Sequence, residues 1–331
     1  MVKFGISFTS KFLNQANALV NVYTDGTIQV STGGTEMGQG LNTKIRQLVA
    51  DEFAIDASHI SVMATSTEKN NNTPPTAASA GTDLNGGAAV NACRSIRERL
   101  TEFAAVKLSG DEAESLPIER IAWENGRVFD RDKPEQCIEF SALVHAAHRE
   151  RISLGERGHY ITPGLGPDRP FFYFTTGCAL AEVEIDRFTG ELRVLRADVL
   201  MDIGQSINPA IDLGQIGGGF VQGMGWATCE ELKFTSEGEL LTASPSTYKI
   251  PSARDIPEDF RIEFVEDSRF PENVRSSKAV GEPPLLMGLC VWTAIKNALS
   301  YVGPKGQVAP LNLPATGEEI LRCLGEMEVM Q

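Results

Sequence analysis

Basic side chains are scarce in this sequence relative to acidic ones. Its 331 residues contain 30 lysines and arginines against 44 aspartates and glutamates, which gives a formal net charge of −14 at pH 7. An acidic surface of this kind repels nucleic-acid phosphates and anionic lipid headgroups. We therefore expect neither nucleic acid nor a membrane among the partners of this protein.

Long apolar runs are missing as well. The longest, Pro283 to Ile295, is shorter than the roughly 20 residues that a helix needs to cross a bilayer. Residues 1–10 lack the apolar core of a signal peptide. The six cysteines are scattered and form no C-x-x-C motif, which is typical of free thiols in a reducing compartment. Together these absences predict a cytoplasmic protein.

No cluster of metal-ligating side chains can be recognised in the sequence. His145 and His148 share one face of a predicted helix, but no third ligand lies at a suitable spacing. The spacing predicts a partly exposed histidine pair, and we expect no metal ion held by protein side chains.

What the sequence does contain is an irregular alternation of strand and helix patterns. Strand-forming residues flank the turn at Asp25-Gly26, and helical spacing of apolar residues begins at Leu41 and again near Asn85. A second pair of strands surrounds Thr189-Gly190 and leads into a glycine-rich helix pattern. The alternation predicts the α+β fold class, with two α/β lobes of mixed sheets packed with helices.

A connector rich in glycine and proline, residues 155–170, separates the two lobes in this interpretation. We therefore predict a first lobe at residues 1–160 and a second lobe at residues 161–331. In the second lobe, Asn208-Pro209 is typical of a helix start, and Thr316 with Glu319 is typical of a capping box before a C-terminal helix.

The loop of residues 33–40, GGTEMGQG, stands directly before the first predicted helix. Backbone N–H groups at a helix N-terminus favour an anion such as a phosphate, and glycine permits close approach. The motif matches neither the P-loop nor the dinucleotide fingerprint. A glycine-rich turn without a ligand is an equally open interpretation.

A second loop, residues 73–86, carries small and hydroxyl side chains before the next helix. Considered alone, it is more typical of a tolerant surface loop, but two such loops in one lobe favour a shared ligand. The amides of Gln39 and Gln215 stand beside glycines and could contact a planar polar ligand, although lone glutamines are more often capping groups.

Glu282 stands between Gly281 and two prolines, directly before an apolar helix pattern. Burial by that helix would raise the pKa of the carboxyl towards that of a general base. The spacing alone favours a simpler alternative, in which the helix N-terminus stabilises the carboxylate charge.

An ordered series of motifs covers nearly the whole chain, most weakly between residues 109 and 157. The motifs are KFGISFT, FLNQA, VYTDG, GGTEMGQG, TPPTAAS, SINPAIDLGQ, PSTYKIP, SKAVGEPPL and LPAT. As a set they resemble the C-terminal half of the molybdenum-binding part of the xanthine oxidase family of molybdenum hydroxylases. KFGISFT and PTAAS look more like the xanthine dehydrogenase branch of that family than the aldehyde oxidase branch.

The resemblance implies a molybdenum–molybdopterin cofactor held through its pterin and not by protein ligands to the metal. It implies that Glu282 is the general base in the hydroxylation of an electron-poor carbon, and that Phe8, Thr9 and Ala78 line the substrate. The residues implied to contact the pterin and its tail are Met37, Gly38, Gln39, Thr76, Ala77, Ala78, Ser79, Ala80, Gly81 and Gln215.

Two departures from the family bear on what this chain would do alone. Gly217 stands where related sequences often carry a glutamate, so a polar contact near Gln215 is expected to be missing. The family's first molybdenum half and its FAD and [2Fe-2S] domains are not in these 331 residues. An isolated half is also expected to expose the apolar surface that its partner covers.

We therefore predict a domain or subunit that hydroxylates purines, hypoxanthine to xanthine to urate, only when joined to those partners. Two alternatives remain open. One is a non-enzymatic orphan domain or assembly module, and the other is the same chemistry on another heterocycle or an aldehyde.

Overall fold

The computed structural model describes residues 2–4, 8–110 and 115–329 of the chain. The α-helices are α1 (Leu41–Phe53), α2 (Gly87–Leu108), α3 (Phe140–Arg149), α4 (Pro209–Thr228), α5 (Leu289–Leu299) and α6 (Gly317–Val329). The strands are β1 (Val2–Phe4), β2 (Gln15–Val22), β3 (Ile28–Thr32), β4 (Ile60–Val62), β5 (Ile121–Glu124), β6 (Arg127–Asp130), β7 (Lys133–Glu139), β8 (Gly155–Ile161), β9 (Tyr173–Thr175), β10 (Gly177–Ile185), β11 (Leu192–Met201) and β12 (Asp259–Phe264). The predicted α+β fold class is confirmed.

The first large sheet has the strand order β4-β3-β2-β8. β2 and β3 form the hairpin predicted at Asp25-Gly26, where Gly26 has a φ of 85° and the Asp25 carboxylate accepts the backbone N–H of Thr27 at 2.9 Å. α1 and α2 pack their apolar faces on this sheet, with Ile45 and Ile96 fully buried. The sequence pattern therefore placed both helices and the hairpin correctly.

The predicted connector of residues 155–170 is wrong in its first part, because Gly155–Ile161 form β8. This strand pairs antiparallel with β2, from Gly155 opposite Asn21 to Ile161 opposite Gln15. A Cβ on Gly158 would lie 1.9 Å from the carbonyl oxygen of Ala88 in α2. Glycine is thus needed here for close contact between strand and helix, and it does not mark a flexible segment.

The second large sheet has the strand order β10-β11-β12, with β10 and β11 antiparallel and β11 and β12 parallel. The predicted start of α4 is confirmed, because the Asn208 side chain accepts the backbone N–H of Ile211 at 3.1 Å and Pro209 is the first helical residue. Only half of the predicted capping box forms at α6. Thr316 Oγ1 accepts the Glu319 N–H, but the Glu319 carboxylate accepts the backbone N–H of Asn312 at 2.7 Å instead.

Buried apolar side chains form two large clusters, one between residues 16 and 154 and one between residues 194 and 327. β1, near the start of the chain, pairs antiparallel with β9. The first strand of the chain therefore lies beside a strand that follows the first cluster in sequence. Two smaller sheets complete the fold, β5-β6-β7 and the β1-β9 pair. The lobe boundary at residue 160 stays a prediction.

The glycines of α4 set the position of the segment that carries Glu282. A Cβ on Gly223 would lie 1.8 Å from the carbonyl oxygen of Leu285, and one on Gly288 would lie 2.3 Å from the Met224 nitrogen. The 3-10 turn Pro283–Gly288 therefore packs directly against the backbone of α4. Glu282, which precedes this turn, is placed next to the helix that carries Gln215.

Candidate functional site

The two predicted loops, the start of α4 and the segment before Pro283 enclose one cavity of about 280 Å3. These four segments are far apart in sequence, and the fold brings them to one place. The predicted residues that line this cavity are Met37, Gln39, Thr76, Ala77, Ser79, Gly81, Gln215 and Glu282. A larger cleft of about 1010 Å3, around Asp51 and Arg275, contains none of the predicted site residues.

Some predicted site residues do not line this cavity. Gly38, Ala78 and Ala80 are neighbours in sequence of lining residues, and Ala80 is buried. The side chains of Phe8 and Thr9 lie outside the described part of the chain, so their predicted contact with substrate stays a prediction.

A hydrogen bond ties the two predicted loops together. The backbone N–H of Thr35 donates to Thr76 Oγ1 at 2.9 Å. Further along the second loop, Ala78 and Ser79 have left-handed φ angles of 55° and 52°. Non-glycine residues adopt this conformation at a cost, and such strain is concentrated at functional sites.

Ser79 connects the second loop to the segment of Glu282. Its hydroxyl accepts the backbone N–H of Glu282 at 2.9 Å. Gly281 lies close to both neighbours, because a Cβ there would be 3.3 Å from Ser79 Oγ and 3.6 Å from Gln215 Oε1. The predicted base and two predicted cofactor contacts therefore lie side by side.

The burial expected around Glu282 is not provided by this chain. Glu282 is exposed, although Pro283 and Pro284 next to it are buried. The expectation was wrong because the helix that follows buries its own apolar side chains against α4 and leaves the carboxylate outside.

The anion expected at the first helix N-terminus is part of the chain itself. The Glu36 carboxylate accepts the backbone N–H groups of Gly38, Gly40 and Asn42 at 2.9, 3.0 and 2.9 Å. The prediction that these N–H groups receive a phosphate is therefore wrong. Glu36 was overlooked because its side chain reaches forward over the loop, which the motif letters do not show.

Two lysines at the cavity were not predicted. Lys44, on α1, forms a buried ion pair with Asp212 in the first turn of α4, and Asp212 also accepts a hydrogen bond from Ser206. Lys278 forms an ion pair with Asp202 at 2.5 Å. A signal for Lys44 was present, since it lies at helical spacing between the buried residues of α1.

Asp83, on the π-helical turn that precedes α2, is a further buried carboxyl that lines the cavity. It accepts the Tyr173 hydroxyl at 2.6 Å and the Asn273 amide at 2.9 Å. Burial raises the pKa of Asp83 to about 6, although both hydrogen bonds and Lys44 act in the opposite direction. Asp83 thereby joins the second loop to β9 and to the segment around Asn273.

Gly217 does not face the cavity. A Cβ at this position would point towards Ile262 and Phe260 of β12, at 3.4 and 3.6 Å. A Cβ here would thus contact β12, and the expected loss of a polar contact near Gln215 stays a prediction.

None of the helices in the described residues is long and apolar enough to cross a membrane. No group of three histidine, cysteine, aspartate or glutamate side chains within these residues could hold a metal ion. His145 and His148 are both exposed.

The fold is an α+β domain in which two loops, a helix and the segment before Pro283 line one cavity with amide, hydroxyl and backbone groups. The chain belongs to the family of molybdopterin cofactor-binding domains, whose model matches residues 1–257.

Xanthine dehydrogenases are among the relatives of this chain. The chain is 46% identical to that of Oryza sativa subsp. japonica, over 96% of this chain and 22% of the rice protein. It is 44% identical to that of Dictyostelium discoideum, also over 96% of this chain and 22% of that protein. The chain thus spans about a fifth of the length of these relatives.

Solved structures agree on the fold. Quinoline 2-oxidoreductase from Pseudomonas putida 86 superposes with a TM-score of 0.86 at 28% identity, over 98% of this chain and 41% of that one. CO dehydrogenase from Oligotropha carboxidovorans gives a TM-score of 0.82 at 22% identity, over 95% of this chain and 37% of that one. The second similarity shows the fold alone.

The residues at the cavity fit molybdopterin. Amide groups of Gln39, Gln205 and Gln215 can both donate and accept hydrogen bonds, as the edge of a pterin requires. Small residues on both loops and Gly281 leave room for a flat ring close to the backbone.

Proposed function

We propose that this chain is the C-terminal part of the molybdenum-binding portion of a xanthine dehydrogenase, and that it hydroxylates purines, hypoxanthine to xanthine to urate, together with the rest of that enzyme. The observation that carries the proposal is the convergence of both loops, Gln215 and Glu282 on one cavity. The identity of 46% to a xanthine dehydrogenase supports purines over other substrates.

The proposed roles follow from where the side chains lie. Met37, Gln39 and Gln215 would hold the pterin, and residues 76–81 would hold its tail. When bound, the molybdenum cofactor would supply the two-electron redox chemistry of the hydroxylation. Glu282 would accept the proton released as the substrate is hydroxylated. Phe8 would give the purine ring a stacking face, and Thr9 would give it a hydrogen bond.

The cavity of this chain is one part of a larger site. Its volume of about 280 Å3 lies at the lower limit of ligand pockets, which are commonly about 300–1,000 Å3. Glu282 is exposed, and Met37 is 66% exposed at the cavity edge. We propose that the rest of the enzyme covers this edge, because expelling water from a site strengthens the electrostatic interactions inside it.

Exposed apolar side chains, one of them at a groove beside Gln215, support such a partner. The stretch between α4 and β12, residues 229–258, has no helix or long strand, and four of its large apolar side chains are 56–67% exposed. They are Leu232, Phe234, Leu241 and Ile250. Ile250 and Pro251 also border a groove with Gly281 and Gln215. We propose that the groove at Ile250 faces the first molybdenum half, because exposed apolar side chains often mark binding faces and this groove shares Gln215 and Gly281 with the cavity.

FAD and [2Fe-2S] groups are proposed to lie on other domains or subunits, since the chain covers about a fifth of its relatives. All six cysteines, each within the described residues, are free thiols, which supports the expected cytoplasmic location.

The test is co-expression of this chain with the polypeptide that carries the first molybdenum half in its source genome. Purified complex and chain alone are compared for molybdenum content and for oxidation of xanthine, quinoline and an aldehyde. Glu282→Gln is measured beside the control Glu266→Gln, a second exposed glutamate.

We expect molybdenum and xanthine oxidation in the complex alone, with activity lost and molybdenum retained in Glu282→Gln. Preference for quinoline or the aldehyde would replace the purine assignment. Purine oxidation by the chain alone would contradict a divided site. A chain that takes up neither partner nor molybdenum would be a non-enzymatic module, and the proposal would be wrong.

A further inference from the structure

The carboxylate of the exposed residue Glu36 accepts three backbone N–H groups of the loop that follows it. Oε1 accepts the N–H groups of Gly38 and Gly40, and Oε2 accepts that of Asn42 in the first turn of α1. Burial alone would raise the pKa of Glu36, but the hydrogen bonds from Asn42, Gly40 and Gly38 outweigh burial and leave it lowered. A negative charge is therefore held at the N-terminus of α1 by the chain itself.

The shape of this loop is that of an anion-binding concavity. Gly38 and Gly40 have φ angles of 96° and 78°, which turn successive backbone N–H groups towards the same side. In other proteins such concavities bind phosphate or metal clusters. Here the concavity is occupied from within, so an external anion would have to displace Glu36.

The same loop presents Met37 and Gln39 to the cavity. The Gln39 amide is held on both sides, because its oxygen accepts the Met37 N–H at 2.5 Å and its nitrogen donates to the Thr35 carbonyl at 2.8 Å. An amide nitrogen carries two hydrogens, so one remains for a ligand. The orientation of that hydrogen depends on the loop conformation, and Glu36 fixes that conformation at three points.

We infer that Glu36 is a positioning residue: it serves as the internal anion of the Gly33–Gly40 loop and holds Gln39 in the orientation that meets the cofactor. This inference rests on the proposed function for the identity of the ligand. The order of the loop itself does not depend on it, and the two parts can be tested separately.

The first experiment measures amide hydrogen exchange on the chain alone, with Glu36→Gln and Glu36→Ala. In both variants we expect exchange of the peptide covering residues 33–42 to become roughly five- to tenfold faster, as for loss of a helix cap. A peptide from the middle of α1, residues 45–53, should change little. Sodium acetate should restore protection to Glu36→Ala, and sodium chloride at the same ionic strength should not. The control is Glu102→Gln, at an exposed glutamate of α2.

Unchanged exchange in both variants, or failure of acetate to restore protection, would overturn the internal-anion part of the inference. The second experiment measures molybdenum content and melting temperature of the co-expressed complex. We expect Glu36→Gln to lose molybdenum several-fold, while the melting temperature stays near that of Glu102→Gln.

Full molybdenum content in a Glu36→Gln complex with a disordered loop would show a purely structural role and overturn the positioning assignment. A wild-type complex without molybdenum would overturn the proposed function instead. In that case the proposed contact between Gln39 and the cofactor would be wrong as well. The exchange data would still show whether Glu36 orders the loop.

Discussion

The hydroxyl of Ser79 accepts the backbone N–H of Glu282 at 2.9 Å, across 203 residues of sequence. This bond joins a loop of the first apolar cluster region to the turn that packs on α4. Ser79 adopts its left-handed conformation with a φ of 52° while making the bond. The Ser79 side chain thus links the second loop directly to the backbone of the predicted base.

Ser79→Ala removes the acceptor and keeps the backbone strain. We expect a loss of about 1 kcal/mol in the free energy of unfolding, the usual net value of a neutral hydrogen bond. Ser79→Gly also loses the bond but relieves the left-handed strain, so it should be more stable than Ser79→Ala. Denaturant unfolding measures both, with Ser95→Ala on α2 as control. In the complex, both variants should lower xanthine turnover, and equal turnover to wild type would contradict a role for this bond.

Local sequence patterns predicted those elements whose causes are local. The Asp25-Gly26 hairpin, the apolar spacing of α1 and the Asn208 cap all depend on residues a few positions apart, and all are found. Gly155–Ile161 was misread because the glycine at 158 serves a contact with Ala88, which is 70 positions away. A glycine needed for packing and a glycine in a flexible connector look the same in the sequence.

The candidate site shows the same limit. Eight residues predicted from the resemblance and the loop motifs line the cavity. The sequence does not predict the ion pairs Lys44–Asp212 and Lys278–Asp202. These pairs join segments 168 and 76 residues apart, and no spacing rule connects them. The Lys44–Asp212 pair joins the two parts of the fold, and the Lys278–Asp202 pair joins distant segments of the second part, so both depend on tertiary packing.

The glycines of α4 give a prediction with an internal control. Gly223→Ala would place a Cβ 1.8 Å from the Leu285 carbonyl oxygen, so the turn before α5 must move. We expect a loss of about 1–3 kcal/mol or more, as for overpacking in other cores. Gly214→Ala lies on the same helix with nothing within 4 Å of its new Cβ, so it should gain up to about 1 kcal/mol from helix propensity. Thermal unfolding should give a lower melting temperature for Gly223→Ala than for Gly214→Ala. Equal melting temperatures would refute the close-packing explanation.

Asp83 predicts a pH dependence of stability. Its pKa is raised from 3.8 to about 6 in the folded chain, chiefly by burial, so the folded state binds the proton more tightly than the unfolded state. The contribution of Asp83 to the free energy of unfolding therefore falls as the pH rises from about 4 to about 6, by up to about 3 kcal/mol, and is constant above that.

Asp83→Asn should remove this component, which denaturant unfolding at several pH values between 4 and 7 would show as a difference from wild type. The exposed Asp168 supplies the control Asp168→Asn. Tyr173→Phe removes a hydrogen bond to the charged carboxylate and should extend the pH window upwards. Parallel pH curves for wild type and Asp83→Asn would contradict the raised pKa.

The buried Lys44–Asp212 ion pair predicts that the free energy of unfolding depends on the presence of both charges together. The side chains are 10% and 1% exposed, so removal of either partner leaves the other charge buried. We expect Lys44→Met or Asp212→Leu alone to cost about 3–5 kcal/mol, and the double variant to cost much less because no charge is then unpaired.

Denaturant unfolding of the four proteins gives the coupling energy, with the exposed pair Arg187–Glu328 as the matched control. Exposed pairs are worth at most about 1 kcal/mol, so Arg187→Met should change little. Additive losses at Lys44 and Asp212 would mean that the two side chains act independently, and that the ion pair does not hold α1 against α4.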